Sequence, residues 1–486
     1  MTLFGPWRPL RVRLASDSER APAWWPPPSA GGWDEGLTAL ARVFQVTRVC
    51  DGCFVLPGRY RPPDPSGRDF TPAPLRSQVL PSLTIGLAQN WAGEGMRHSI
   101  LVAVEGSKAA PKGLEGVVAT TTAICSVSDN FLQYRGYRIE ELVGKAEYEE
   151  VAYLLLNGEL PNKEELRDFK AELTKHRTLS PFLRGLLQEM SETGTGMDVL
   201  RTVVSASAAE DPGEGDNSRE AEYAKSIRLT AKLPTILASY IRRRRGEQPV
   251  PPDQTLGHAA NFVKMAGLDA NPKSTEVLNT CFILQAEHGL NASTFAARIA
   301  AATLADMHAA VTAGLGALKG SLHGGATDGT MKMLDEIGSP DHVDSFVDKA
   351  IAQKYKFSGF GHRVYLTEDP RAKFLRRYAI ELSKEWKGKP YFEIQERLAK
   401  AIAERRAKMS PAAAAKVNVV NVDYYAATTY TFLGIPADLG TSIFAVGRMA
   451  GWCAHVMEQH ADNRLIRPES EYTGPNGKRW VPLAER

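Results

Sequence analysis

Residues 147–165, EYEEVAYLLLNGELPNKEE, decide the fold class. Val151, Leu154 and Leu155 recur at helical spacing and share one face. Asn157-Gly158 stops that helix, because glycine accepts the left-handed conformation that a helix end favours. Asn162, with Glu165 three residues later, has the pattern of a capping box opening the next helix. Helix, turn, helix is the grammar from about Gly113 onward. Asp369-Pro370 repeats it as a cap followed by proline at the first helical position, predicting a helix that runs towards Trp386. The most apolar stretch, 292–318, carries Arg298, Asp306 and His308, so it predicts a pair of buried core helices and not a membrane span. Alternating β-branched runs occur only briefly, near Val117 and Val417, and no repeat period is evident. The expected class is all-α.

With 486 residues, 43% hydrophobic and 24% charged, the chain can bury a large core and is expected to form two or more domains. A net charge of +3 carries no nucleic-acid footprint, which needs concentrated basic surface. The run Arg242-Arg243-Arg244-Arg245 has two readings, a solvated helix end facing the C-terminal dipole or an anchor for an anionic ligand. Five cysteines make no disulfide framework, which points to a reducing, cytoplasmic compartment. Cys50 and Cys53 form a C-x-x-C, but no second pair or nearby histidine completes a four-ligand zinc site. Thirteen of the thirty prolines and five of the eight tryptophans fall in the first hundred residues, so residues 1–107 are expected to hold little packed structure. That extension is read as a disordered tail or as sequence upstream of a true start at Met96. A transit peptide built on Arg8, Arg11 and Arg13 would be interrupted by Pro6 and Pro9.

Three histidines sit in breaks flanked by glycine: Glu287-His288-Gly289, Leu322-His323-Gly324-Gly325 and Gly359-Phe360-Gly361-His362. Glycine beside a side chain lets a backbone or ligand come close, which a packing histidine does not need. Asp423, in Asn421-Val422-Asp423, stands where an aromatic-rich helix begins, either as a functional carboxylate or as its N-cap. Arg371, Arg448 and Arg467 lie near helix ends, and a guanidinium matches a carboxylate in two-point contact. Such a set suits a small di- or tricarboxylate. No phosphate-binding G-x-x-x-x-G-K-[ST] loop exists, and Gly359-Phe360-Gly361 lacks the third glycine of a dinucleotide fingerprint. His455 and His460 are five apart, the wrong spacing for a zinc-protease helix, and His455 is read as packing.

Several segments together resemble the citrate synthase family in its shorter bacterial and archaeal form. They are residues 113–118 (GLEGVV), 134–137 (YRGY), 291–295 (NASTF), 320–326 (GSLHGGA), 359–365 with Asp369-Pro370-Arg371, 421–423 (NVD), and 463–468. The resemblance implies an all-α fold: a large domain of residues 108–323 and 429–486, and a smaller mobile domain of residues 324–428. It implies a homodimer or higher even oligomer acting on acetyl-CoA and oxaloacetate, with no cofactor, metal, nucleic acid or membrane. Carried over position by position, Asp423 resembles the base, His323 the donor to the enol oxygen, and His362 the donor to the oxaloacetate carbonyl. His288, Arg371 and Arg448 resemble the other oxaloacetate ligands, with Arg467 supplied across the dimer interface. The implied activity is citrate synthase, with 2-methylcitrate synthase as the enzymatic alternative. A non-catalytic paralogue binding CoA or dicarboxylates is the alternative from another class. Two positions depart from the pattern: Leu366 stands where Lys or Arg usually meets a CoA phosphate, and Thr195-Gly196-Met197 replaces a His-Pro-Met run.

Overall fold

A computed structural model describes residues 47–50, 53–55, 83–90, 97–104, 112–128, 130–191, 193–366, 369–409 and 420–486. Most of residues 1–107, including Met96, and the run near Val417 lie outside the described residues. By internal contacts the chain divides into a unit of Met1–Val117 with Glu471–Arg486, and a unit of Val118–Ser470.

In the first unit, β1 (Thr47–Cys50) pairs antiparallel with β2 (Cys53–Val55), and β3 (Leu83–Asn90) with β4 (Arg97–Val104). The sequence reading named neither hairpin. In the second unit, β5 (Cys125–Ser128), β6 (Phe131–Tyr134) and β7 (Tyr137–Arg138) form a small antiparallel sheet in that order. Arg135 and Gly136 both take positive φ, 47° and 92°, in the two-residue turn joining β6 to β7.

The main elements after the sheet are helices. The first helices are α1 (Ile139–Leu142), α2 (Tyr148–Asn157), α3 (Lys163–Lys175), α4 (Pro181–Met190) and α5 (Gly196–Ala206). The long α6 (Arg219–Arg244) precedes α7 (His258–Ala266), α8 (Pro272–Gln285), α9 (Ala292–Ala301) and α10 (Met307–Leu318). Last come α11 (Ala326–Ile337), α12 (Val343–Ala352), α13 (Ala372–Ser383), α14 (Tyr391–Met409), α15 (Val422–Phe432) and α16 (Gly440–Ala461). The deciding stretch forms as its chemistry requires. Gly158 ends α2 at φ 100°, and Asn162 accepts from the N–H groups of Glu164 and Glu165 while Glu165 accepts from the Asn162 N–H. The apolar stretch 292–318 is the packed helix pair α9 and α10. Among the described residues no helix is long and apolar enough to cross a membrane.

The core is organised around α16, buried on nearly every side from Gly440 to Met457 and packed against α2, α6, α8, α9 and α10. A helix that is apolar all round belongs at the centre of a large domain. Its glycines permit the closest approach. A Cβ on Gly447 would stand 2.9 Å from the Phe282 carbonyl oxygen, and one on Gly451 only 2.1 Å from that of Ala286.

Local readings shift in three places. Asp369 does not cap a helix at Pro370: α13 starts at Ala372 and ends at Ser383, because the Asp369 carboxylate is taken up by Arg371. The arginine run closes α6 mainly through protein partners distant in sequence. Arg242 binds the Met265 carbonyl and Glu247, Arg244 binds Asp438, and Arg245 binds the Ala266 and Gly434 carbonyls. Thr195 caps α5, and at Gly196 a Cβ would sit 2.5 Å from Ser442 Oγ, so the departure there is an N-cap beside a close helix contact.

Gly451→Ala is expected to lower stability by about 1–3 kcal/mol, since backbone of both helices must yield. Gly185→Ala, in exposed α4 with nothing within 4 Å of the added carbon, is expected to raise it by roughly 0.5–1 kcal/mol. Denaturant midpoints of the two variants check the pair.

Candidate active site

The bend after α8 carries Glu287 and His288, with Gly289 at φ 61°, and Asn291 then caps α9 by accepting from the Ser293 and Thr294 N–H groups. The same cap holds His323, which sits in the turn between α10 and α11. His323 Nε2 lies 2.8 Å from Ser293 Oγ and 3.2 Å from Asn291 Oδ1, while Trp452 Nε1–H donates to Ser293 Oγ at 3.3 Å. Nε2 is thus engaged by protein, and Nδ1 has no partner among the described residues. Burial, with Arg448 nearby, pushes the His323 pKa down to about 4, so the ring is neutral.

His362 follows two positive-φ glycines, Gly359 and Gly361. Its Nδ1 accepts from the N–H groups of Val364 at 3.0 Å and Tyr365 at 2.9 Å, which forces the ring proton onto Nε2. Burial and Arg371 push its pKa down to about 4. The ring stacks on Tyr365 at 4.3 Å and meets His288 edge-on at 5.2 Å. His288 Nε2 in turn lies 3.0 Å from the Tyr365 hydroxyl. Burial first, then Arg371, His362, Arg448 and His323, drive the His288 pKa well below its ordinary value.

The two interior guanidiniums are held differently. Arg371 is gripped by Asp369, Nε to Oδ1 at 3.0 Å and Nη2 to Oδ2 at 2.8 Å. Arg448 gives Nε–H to the Gln285 carbonyl at 2.6 Å and lies over the Phe444 ring, but its buried Nη1 and Nη2 have no partner among the described residues. Arginine keeps its charge in protein, so these two nitrogens present unpaired donors in the interior, the arrangement a carboxylate satisfies.

Asn421, not Asp423, is the N-cap of α15, accepting from the Asp423 N–H. Asp423 therefore stands in the first turn with its carboxylate free of capping. Thr327, in the first turn of α11, donates to Asp423 Oδ1 at 2.8 Å, and Oδ2 has no protein partner among the described residues. Burial pushes the Asp423 pKa up to about 6, against the opposing pull of Thr327 and Arg371.

Six of the seven residues picked from sequence are thus joined by contact or by charge: His288, His323, His362, Arg371, Asp423 and Arg448. Arg467 is not brought to them; it is exposed in the non-helical segment after α16. The sequence reading missed the residues that hold this set: Tyr365, Ser293, Asn291, Thr327 and Asp369. It also took His455 for packing. That buried ring accepts at Nδ1 from Arg298 at 3.1 Å and so donates from Nε2 to Glu287 at 3.1 Å, behind the His288 backbone. Asn291, Ser293, Tyr365 and Asp369 lie in segments that carry the family resemblance, which marked their neighbourhood without their part, while Thr327 lies outside them.

A buried carboxyl with its pKa pushed up to about 6, two neutral imidazoles and interior guanidiniums are groups suited to proton abstraction and carbonyl addition on a carboxylate substrate. Comparison with known proteins then specifies the class. Residues 113–469 match the family described as "Citrate synthase, C-terminal domain". The chain is 42% identical over 379 residues to Citrate synthase 2 of Bacillus subtilis, covering 78% of this chain and 99% of that one. It is 38% identical to 2-methylcitrate synthase 1 of Corynebacterium glutamicum, covering 77% and 98%. The structure of a Thermoplasma acidophilum citrate synthase in ternary complex with carboxymethyl coenzyme A and oxaloacetate superposes with a TM-score of 0.72 at 32% identity, covering 77% and 99%. The chain belongs to the citrate synthase family.

Asp423 makes a prediction about stability. Its folded pKa, about 6, exceeds the ordinary 3.8, so its stabilising contribution is full below 3.8 and is lost as pH rises through 6. Asp423→Asn is therefore expected to match wild type near pH 4 and to exceed it by about 1–3 kcal/mol above pH 7. Unfolding measured across that range checks the sign.

Proposed function

We propose that this chain condenses acetyl-CoA with oxaloacetate and water to give citrate and CoA, the entry reaction of the tricarboxylic acid cycle. The observation that carries the reading is the Arg448 guanidinium, whose buried Nη1 and Nη2 have no partner among the described residues, in the same site as a carboxylate whose pKa is pushed up to about 6. Asp423 Oδ2 takes a proton from the thioester methyl group. A thioester α-proton is too weakly acidic for a free carboxylate, so the developing enolate oxygen must be met by a donor. His323 is that donor: the tautomer with its proton on Nδ1 is reached when Ser293 turns its hydroxyl from Asn291 Oδ1, 2.7 Å away, to Nε2, 2.8 Å away. The enolate carbon then attacks the oxaloacetate ketone while His362 donates Nε2–H to the oxygen that becomes a hydroxyl. Water cleaves the C–S bond of citryl-CoA, releasing the new carboxylate and the CoA thiol. His288, Arg371 and Arg448 hold the oxaloacetate carboxylates. Protein donors take the part of a Lewis acid, so the reading calls on no metal or resident cofactor.

The same reading makes the assembly a homodimer or higher even oligomer, with Arg467 of the partner subunit completing each site. Residues 324–428 then act as the smaller domain, closing on residues 108–323 and 429–486 to exclude water while the enolate exists. No nucleic-acid or membrane partner is called for, and the near-balanced charge supports this. A cytoplasmic location is supported by Cys125, Cys281 and Cys453, all buried free thiols.

A second reading, 2-methylcitrate synthesis from propionyl-CoA, is favoured by the similarity to the Corynebacterium glutamicum enzyme. One methylene shifts pocket preference by only about 1–3 kcal/mol, so kcat/KM for both thioesters decides between them. Purified protein is expected to release CoA from acetyl-CoA only with oxaloacetate present; release that ignores oxaloacetate, or none, overturns the condensation. Asp423→Ala is expected to lose roughly a thousandfold or more in kcat while still binding oxaloacetate, which a non-catalytic paralogue would not show. Co-expressing Arg467→Ala with Asp423→Asn is expected to recover about a quarter of wild-type activity from two inactive variants, because mixed dimers hold one intact site.

A further inference from the structure

Thr327 stands on the second residue of α11, and nothing in the family resemblance or the comparisons gives it a part in the reaction. A threonine inside a helix usually spends its hydroxyl on the carbonyl four residues back, as Thr330 does with the Ala326 carbonyl at 2.8 Å. Thr327 instead reaches across to α15 and donates to Asp423 Oδ1 at 2.8 Å. Its rotamer is set from the other side. The first residue of α16 is Gly440, and a Cβ there would stand 2.3 Å from Thr327 Cγ2, so the methyl group lies directly on bare backbone. With the methyl group seated on α16, the hydroxyl has one direction left, towards the carboxylate. The side chain is buried and therefore works without water as an intermediary.

We infer that Thr327 is a positioning residue that selects Oδ2 of Asp423 as the oxygen receiving the substrate proton. Held by one donor, Oδ1 is the poorer base, and the carboxylate plane is fixed with Oδ2 open. This rests on Asp423 being the base of the proposed condensation. A fixed plane matters because misplacing a catalytic group by an ångström can cost two orders of magnitude. The hydroxyl also stabilises the charged carboxylate, acting with Arg371 and against burial, Asp369 and Asp328. Losing it raises the pKa of Asp423 further, so the base is protonated over a wider range.

Three variants test the inference through kcat against pH with acetyl-CoA and oxaloacetate. Thr327→Val keeps the methyl contact on Gly440 and removes the hydroxyl, and Thr327→Ala removes both. Each is expected to lower kcat about tenfold near pH 6.5 and to shift the acid limb upward by about one unit, with the KM for oxaloacetate changed less than about twofold. Thr327→Ser keeps the hydroxyl and is expected to keep the wild-type limb, even if a smaller contact on Gly440 lowers thermal stability. A limb that stays in place in the Val and Ala variants overturns the inference, as does a Ser variant that shifts as far as Val. An inactive wild type would instead remove the condensation on which the inference rests, a result distinct from either.

Discussion

One buried carboxylate holds the candidate site together. Asp369 is fully buried and accepts four hydrogen bonds on its two oxygens: the N–H and Nε of Arg371 on Oδ1, and Nη2 of Arg371 with the N–H of Val422 on Oδ2. Taking a carboxylate and a guanidinium out of water costs several kcal/mol per ion, and geometry this complete is what offsets it. Its consequence is positional. The arginine assigned to a substrate carboxylate and the first turn of the helix carrying the assigned base are fastened to the same two oxygens.

Desolvation then sets the protonation states, and it acts in opposite directions on the two kinds of group. It pushes the Asp423 carboxyl up to about 6 and the His323 and His362 rings down to about 4. Near neutral pH this leaves the carboxyl ionised and the two imidazoles neutral, each with a single ring proton. At His362 backbone geometry, not titration, decides which nitrogen donates. The Val364 and Tyr365 N–H groups occupy His362 Nδ1, and the Ser293–Asn291 cap occupies His323 Nε2. The site is thus poised by burial and aimed by caps.

The helical architecture was legible because its signals are local. The Gly158 stop, the Asn162 capping box and the split of 292–318 into two helices each depend on residues a few positions apart. Where the local signal was ambiguous, reading failed. Asp369-Pro370 looks like any helix start, and only Arg371 folding back onto Asp369 moves the helix to Ala372. Likewise Asn421 and Asp423 are both good caps on paper, and the structure assigns the cap to Asn421, freeing Asp423. The β5–β7 sheet was missed because its strands are only two to four residues long, too short for a period of two to show.

From the sequence alone came the residue types able to do the chemistry and the helix ends that carry them, since glycine breaks, caps and amphipathic faces are properties of neighbouring residues. Tertiary structure alone decided which of those residues meet and what holds them. Thr327 reaches Asp423 across 96 positions, Tyr365 reaches His288 across 77, and Glu287 meets His455 across 168. Contacts at such separations leave no periodic trace in the chain. They exist because α16, buried along nearly its whole length, packs against α8, α11 and α15 and gathers their ends into one interior where an unpaired polar atom is costly.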